Sequence, residues 1–100
     1  MPFHLHWSTR ARRDLIRVLK YCGESDPDWA IAIDAAITER LEALVEDPFI
    51  SSFVRRTYHG EVREVLVDNY RLHFSVTEEM NQITLIEIRH VRQADPDFEE

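Results

Sequence analysis

The chain has 100 residues, 44% of them hydrophobic and 31% charged, with a single cysteine and a formal net charge of −7 at pH 7. This length predicts a single domain, and the composition excludes a disordered chain, a collagen-like chain and a disulfide-rich secreted scaffold. The segment from Met1 to His6 lacks the basic and apolar regions of a signal peptide, and no apolar run approaches the ~20 residues of a membrane-spanning helix. We therefore expect a soluble, cytoplasmic protein.

The charge is unevenly distributed along the chain. Residues 95–100 hold four acids, whereas residues 48–94 carry six arginines against six acids, so we divide the chain into a domain over 1–94 and an acidic tail over 95–100. Non-specific nucleic-acid binding is disfavoured, because domains that hold phosphates usually have a basic face. Eleven of the twelve bases are arginine, which suits bidentate contacts with carboxylate or phosphate, although codon usage explains this preference equally well.

The chain begins with a short predicted strand. Phe3, Leu5 and Trp7 alternate with His4 and His6, a period of two that indicates a half-buried strand. The two histidines share one face, but a lone pair of this kind is more commonly solvated than metal-bound. We therefore predict no metal site and no cofactor.

Two amphipathic helices follow. The first is capped by Ser8 or Thr9 and ends at Gly23, and the second is capped by Asp26 and ends before Pro48. Their short joint predicts a helical hairpin. The outer side of the first helix carries one acid and several bases, interpreted as a solvated face: Asp14, Arg10, Arg12, Arg13, Arg17 and Lys20.

After a predicted loop from Phe49 to Tyr58, the apolar period changes to two. Residues 61–67, 70–76 and 82–91 are predicted strands of an antiparallel meander. The expected order is β-α-α-β-β-β, an α+β fold with a two-helix hairpin packed on one face of a mainly antiparallel sheet. In the last run Ile83 and Leu85 alternate against Ile86 and Ile88, which predicts a central strand covered on both faces over part of its length.

These features together resemble a known family. The supporting residues are Leu5 to Trp7, Ala11-Arg12-Arg13-Asp14-Leu15, Asp47-Pro48, the run from Val62 to Leu72 with Asn69-Tyr70-Arg71, and Ile86-Glu87-Ile88-Arg89-His90-Val91-Arg92. Their order over most of the chain resembles the ParE/RelE superfamily of bacterial type II toxins. The resemblance implies a RelE/ParE-like fold and a toxin that a cognate antitoxin protein neutralises in a hetero-oligomer.

The resemblance leaves the activity open between branches. The ParE-like branch poisons DNA gyrase, as in plasmid-stabilisation modules, and the RelE-like branch cleaves messenger RNA on the ribosome. The ribosome is a polyanion, which repels a protein of net charge −7 at long range, so we favour the ParE-like reading. The alternatives are a RelE-like endonuclease and a non-toxic binding module on the same fold.

If the protein is a ribonuclease, the resemblance assigns catalytic roles to Arg63, Arg71, His90 and Arg92. Arg63 stands at a hairpin lysine of the RelE branch, Arg71 at the arginine of its Tyr-Arg pair, and Arg92 at the arginine after its last strand. Two departures weaken this assignment: the second lysine position is occupied by Val65 or a neighbour, and no tyrosine follows Arg92. Arginine is a poor proton acceptor at neutral pH, so acid–base chemistry falls to His90 or His73.

The placement of Arg63 depends on the hairpin around Asp68-Asn69. A two-residue loop pairs Val67 with Tyr70 and turns Arg63 toward the apolar face, where a charge without a partner is costly. A three-residue loop pairs Leu66 with Tyr70 and places Arg63 beside Arg71 and His73, which point away from the helices as surface groups. We expect the three-residue loop.

Overall fold

The structure is a computed structural model that describes residues 2–58 and 60–92. The predicted acidic tail and the adjoining residues 93 and 94 lie outside the described residues. Within the described ranges, no helix is both long and apolar enough to cross a membrane. The elements in chain order are β1 (His4–Trp7), α1 (Thr9–Ser25), α2 (Pro27–Glu46), β2 (Ser52–Thr57), β3 (Gly60–Val67), β4 (Tyr70–Thr77) and β5 (Gln82–His90), with short 3-10 helices at Pro48–Ile50 and Glu78–Met80.

The two helices form the predicted hairpin, and a single residue joins them. The Ser8 hydroxyl caps α1 by accepting from the amide of Ala11 at 2.9 Å. The helix runs through Gly23 to Ser25, so the predicted end at Gly23 was two residues early. Asp26 then closes α1 with its own amide and caps α2 with its carboxylate, which accepts from the amide of Asp28 at 3.0 Å. This double role of Asp26 turns the chain sharply without a loop.

The sheet has five strands in the order β1-β5-β4-β3-β2. The outermost strand β1 pairs in parallel with β5, and the other neighbours are antiparallel. Both helices pack on one face, which confirms the predicted α+β class. The hydrophobic core lies between the helices and the sheet. Its buried residues come from both helices and from alternate positions of the strands, and include Ile33, Ile37, Leu41, Leu44, Leu72, Phe74, Val76, Ile83 and Leu85.

Strand β2 is missing from the predicted order, because the segment from Phe49 to Tyr58 was predicted as a loop. The structure places there the 3-10 helix Pro48–Ile50 and the edge strand β2. The pairing of β2 with β3 shifts by one residue between Phe53 and Arg55, a β-bulge that interrupts the alternation of side chains. Because β2 is also largely exposed, it has no apolar period of two to reveal it.

A second bulge explains the apolar residues on both faces of the last predicted strand. Ile88 pairs with Leu72, and Leu85 pairs with Phe74, so three steps on β5 match two on β4. Leu85 and Ile88 therefore share the helix-covered face with Ile83, and all three are buried. The apolar residues on both sides of this run therefore come from the bulge, which resets the alternation at Ile86 and returns Ile88 to the helix-covered face.

The hairpin between β3 and β4 has the two-residue loop, and the expected three-residue loop was wrong. Val67 pairs with Tyr70, and Asp68 takes a φ of 55°, which aspartate tolerates better than most side chains. In this register Arg63 lies opposite Phe74 on the helix-covered face, and Glu64 lies opposite His73 on the other face. A charge without a partner would be costly on this face, but Arg63 has partners there, which are described below.

Candidate functional site

The face of the sheet that the helices leave uncovered, here called the outer face, carries Glu64, Arg71, His73 and Glu87. Arg71 and His73 point away from the helices, as predicted. Arg71 is half-buried, but only 2% of His73 is exposed, so the prediction that His73 is a surface group was wrong. The register places Glu64 of β3 and Glu87 of β5 on either side of His73 on β4. These three side chains form a row across the middle of the sheet.

Both ring nitrogens of His73 contact a carboxylate. Nε2 lies 2.8 Å from Oε1 of Glu64, and Nδ1 lies 2.9 Å from Oε2 of Glu87. Burial by itself lowers the pKa of His73, but the hydrogen bonds and charges of the two glutamates outweigh it and raise the pKa above its ordinary value. A doubly protonated ring donates to both carboxylates, whereas a neutral ring would turn a lone pair toward one of them. The geometry thus favours the imidazolium form of His73 over the neutral ring.

Glu87 connects this row to helix α1. Its Oε1 lies 3.1 Å from Nη2 of Arg10 and 3.6 Å from Nη1 of Arg89. Burial favours a raised pKa for Glu87, but the hydrogen bond from His73 and the charges of Arg10, His73 and Arg89 lower it below the ordinary value. Arg71 stands directly opposite Arg89 on the same face. The lowered pKa favours the ionised form of this buried carboxylate, which is paired with His73, Arg10 and Arg89.

The row of His73 and the two glutamates is not arranged to hold a metal ion. The carboxylates approach opposite edges of one imidazole ring, so their oxygens do not converge on a common point. Across the described parts of the chain, His, Cys, Asp and Glu side chains form no group of three that suits a metal. His4 and His6 lie on the edge strand β1 at alternate positions.

Arg63 lies on the opposite face from Arg71, and its guanidinium is held by neighbours. Its Nε donates to the Ser51 hydroxyl at 2.9 Å, Nη2 to the Ser51 carbonyl at 2.7 Å, and Nη1 to Oε1 of Glu61 at 2.6 Å. The rings of Phe49 and Phe53 lie 5.3 and 5.9 Å from its central carbon. With 13% of its side chain exposed, Arg63 anchors the 3-10 helix and β2 to the sheet.

His90 and Arg92 are close together, on the helix side of the sheet. The amide of Arg92 donates to Nδ1 of His90 at 3.0 Å. The His90 ring meets Tyr70 edge-on, with centroids 5.3 Å apart, and burial together with Cys22 raises the pKa of Tyr70 to about 12. The structure therefore unites His90 with Arg92 but separates Arg63 from Arg71 by the thickness of the sheet. The catalytic assignment of these four residues stays a prediction.

Sequence analysis missed the two glutamates that hold His73. Glu87 interrupts the apolar run Ile86-Glu87-Ile88, and the expected three-residue loop would turn Glu64 toward the helices, away from His73. An acidic residue inside each strand flanking a histidine-bearing strand was the available signal. It required the correct register of both hairpins, because a shift of one residue moves each glutamate to the other face.

Comparison with known families decides the identity of the fold. A profile described as the ParE toxin of the type II toxin-antitoxin system, parDE, matches residues 5–95. The chain belongs to the ParE toxin family. No curated protein sequence is similar enough to count as a relative of this ParE-family toxin.

Solved structures share the fold of this ParE-family toxin at low sequence identity. A chain of the RelBE2 toxin–antitoxin complex from Mycobacterium tuberculosis is 22% identical over 95% of both chains, with a TM-score of 0.64. A chain of the chromosomal ParDE system from P. aeruginosa is 19% identical over 88% of this chain and 95% of that one, with a TM-score of 0.70. A chain of the archaeal RelE–RelB complex from Pyrococcus horikoshii OT3 is 15% identical over 94% and 100%, with a TM-score of 0.69. The ParE-family toxin is therefore similar in fold to members of both branches.

Proposed function

We propose that this type II toxin acts by binding DNA gyrase, without cutting nucleic acid itself, and that a cognate antitoxin neutralises it by forming a complex. Membership of the ParE toxin family supports the choice of target class. The similar solved structures are described as toxin–antitoxin systems, which supports an antitoxin partner. The remaining question is whether the outer face performs ribonuclease chemistry instead.

The observation that carries the proposal is that both ring nitrogens of His73 contact carboxylates. Cleavage of RNA through its 2′-hydroxyl needs a group that accepts a proton, placed beside cations for the phosphate. His73 shares β4 with Arg71, but both its nitrogens contact carboxylates and its pKa is raised. With a carboxylate at each ring nitrogen, His73 is arranged to donate from both nitrogens, which leaves it no lone pair with which to accept a proton.

The separation of Arg63 from Arg71 supports the same conclusion. The guanidinium of Arg63 uses all of its edges on Ser51 and Glu61, on the face away from Arg71. Electrostatic stabilisation of a pentacoordinate phosphate requires cations that converge on one point. The net charge of −7 also opposes the approach to a polyanionic ribosome. Binding to a protein surface requires neither converging cations nor the approach to a polyanion.

Two assays on the purified, folded protein test this proposal. The first measures supercoiling of relaxed plasmid by gyrase, and the second measures cleavage of messenger RNA on programmed ribosomes. We expect the wild type to inhibit supercoiling and to leave the messenger RNA intact. His90→Ala and Arg71→Ala probe the catalytic assignment, and Arg13→Ala, an exposed arginine on α1, is the matched control.

The alternative outcome is equally specific. Cleavage of messenger RNA in the ribosomal A site that is abolished by Arg71→Ala and His90→Ala, but not by Arg13→Ala, would establish a RelE-like endonuclease. If the protein neither inhibits gyrase nor cleaves messenger RNA, the remaining reading is a binding module without toxicity. Co-purification of the chain with a co-expressed candidate antitoxin, followed by loss of gyrase inhibition, tests the partner separately.

A further inference from the structure

A cleft lined by charged side chains lies between helix α1 and the end of β5. It has a volume of about 500 Å³, within the range typical of small-molecule sites. Four arginines line it: Arg10, Arg17, Arg89 and Arg92. Apolar atoms of Val18 and Ile88 also line it, and Tyr21 stands at its rim with 58% of the residue exposed.

The cleft keeps a positive charge although the whole protein is acidic. The carboxylates that pair with these arginines are Asp14, which contacts Arg17 at 3.2 Å, and Glu87, which contacts Arg10 at 3.1 Å. Among the described residues, four arginines therefore meet two carboxylates at the cleft, in a protein whose net charge is −7. Asp14 also accepts from the amide of Ile88 at 3.0 Å, so it is held in place and fixes the base of the cleft.

The arrangement joins a cationic end to an exposed aromatic ring. Arg17 and Arg92 are exposed, so their guanidinium groups are able to turn toward a ligand. Guanidinium groups bind phosphate oxygens in pairs, and a tyrosine ring offers a flat surface for stacking a base. The Tyr21 ring is held by an edge-on contact with Trp29, with centroids 6.2 Å apart.

We propose that this cleft binds a phosphate monoester attached to a flat ring, the chemistry of a nucleotide, with the phosphate at Arg17 and Arg92 and the ring on Tyr21. The same chemistry is available from a free mononucleotide and from the terminal phosphate of a nucleic-acid strand. The cleft adjoins the row of His73 on the outer face through Arg10 and Arg89, which pair with Glu87, but Arg17 and Arg92 lie outside that row. It is also independent of gyrase as the target, since either result in the supercoiling assay leaves the cleft unchanged.

Isothermal titration calorimetry at low salt, with the full chain, tests the proposal. The probes are adenosine 5′-monophosphate, inorganic phosphate, adenosine, a 5′-phosphorylated single-stranded oligonucleotide and triglutamate. We expect the monophosphate to bind more tightly than inorganic phosphate or adenosine, because only it uses both ends of the cleft. Tighter binding of the oligonucleotide than of the monophosphate assigns the phosphate to a nucleic-acid end, and the reverse order assigns it to a free nucleotide.

The variants separate this site from general electrostatics. Arg17→Gln and Arg92→Gln are each expected to weaken binding of the monophosphate about tenfold, the effect of losing a charge-assisted hydrogen bond. Arg13→Gln removes the same charge from an exposed position of α1 outside the cleft and is expected to change the affinity less than about twofold. Tyr21→Leu is expected to weaken the monophosphate but not inorganic phosphate. Circular dichroism verifies the fold of each variant.

Three results would overturn the proposal. The first is the absence of a binding heat with every phosphate probe. The second is equal weakening by Arg13→Gln and Arg17→Gln, which would mean a diffuse charge effect. The third is binding of triglutamate more tightly than of the phosphate probes, which would identify the cleft as a site for acidic peptides.

Discussion

The carboxylate of Asp14 on α1 accepts the backbone amide of Ile88 on β5 at 3.0 Å, which joins two residues that are 74 positions apart in sequence. Strand β1 pairs with β5 only as far as Leu85, so the next amides of β5 need other partners. Asp14 supplies one, and the Ser8 hydroxyl donates to the carbonyl of Ile86 at 2.8 Å. Beyond the end of β1, the Ser8 cap of helix α1 and Asp14 within the helix therefore supply hydrogen-bond partners to the free edge of β5.

Asp14→Ala is expected to lower the free energy of unfolding by about 3 kcal/mol, because it leaves a buried amide without an acceptor and Arg17 without the carboxylate that it contacts. Urea denaturation followed by circular dichroism measures the change. Asp34→Ala, at an exposed position of α2, is the control and is expected to stay within about 0.5 kcal/mol of the wild type. Equal effects of the two substitutions would contradict a structural role for the Asp14–Ile88 bond.

His73→Gln is expected to destabilise the protein more at pH 6 than at pH 9. The pKa of His73 is raised in the folded protein, so its protonation contributes fully below the unfolded pKa near 6.5 and is lost as pH rises through the folded value. Glu87 has a lowered pKa, so its contribution is present above the unfolded value and is lost only as pH falls through the folded one. Glu87 therefore stays ionised throughout this comparison.

Urea denaturation of wild type and His73→Gln at several pH values from 6 to 9 measures this effect. The difference in the free energy of unfolding between the two proteins should shrink as pH rises above about 6.5. A difference that stays constant across this range would mean that the pKa of His73 is not raised in the folded protein.

Arg63→Met is expected to lower the free energy of unfolding by about 2 kcal/mol, because it leaves Glu61 and the Ser51 carbonyl without their donor in a half-buried site. Arg56→Met removes an exposed arginine that also pairs with Glu61, at 3.1 Å, and is expected to cost less than about 1 kcal/mol. Thermal and urea denaturation compare the two. If gyrase inhibition, measured on the folded proteins, falls with Arg63→Met while stability does not, Arg63 has a functional rather than an anchoring role.

The two glycines are expected to respond to alanine with opposite signs. Gly60 has a φ of 127°, and an added Cβ would lie 2.2 Å from the Val76 carbonyl oxygen, so Gly60→Ala is expected to destabilise by more than about 2 kcal/mol. Gly23 lies inside α1, where an added Cβ would meet the Cβ of Ala30 at 3.6 Å, an ordinary contact. Gly23→Ala is expected to stabilise by about 0.5 to 1 kcal/mol. Melting temperatures of the two variants should therefore move in opposite directions.

The sequence alone was sufficient for the α+β class, the helical hairpin, β1 and the strands that follow the loop. These elements have local signals. Asp26 and Pro27 suit the cap and the first residue of a helix, and the alternation from Tyr70 to Val76 indicates a strand without reference to its neighbours. The order of such elements along the chain was also enough to identify the resemblance that the family match confirms. The helix end at Gly23 was less certain, because glycine also occurs inside helices that packing supports.

Only the tertiary structure decided the register, the missed strand β2 and the cluster around His73. These three are linked, because Arg63 is acceptable on the helix-covered face only when Ser51 and Phe53, from the segment predicted as a loop, surround it. The register that buries Arg63 also sets Glu64 beside His73. Such partners are distant in sequence and stabilise a charge only once they are assembled, so no local pattern predicts them.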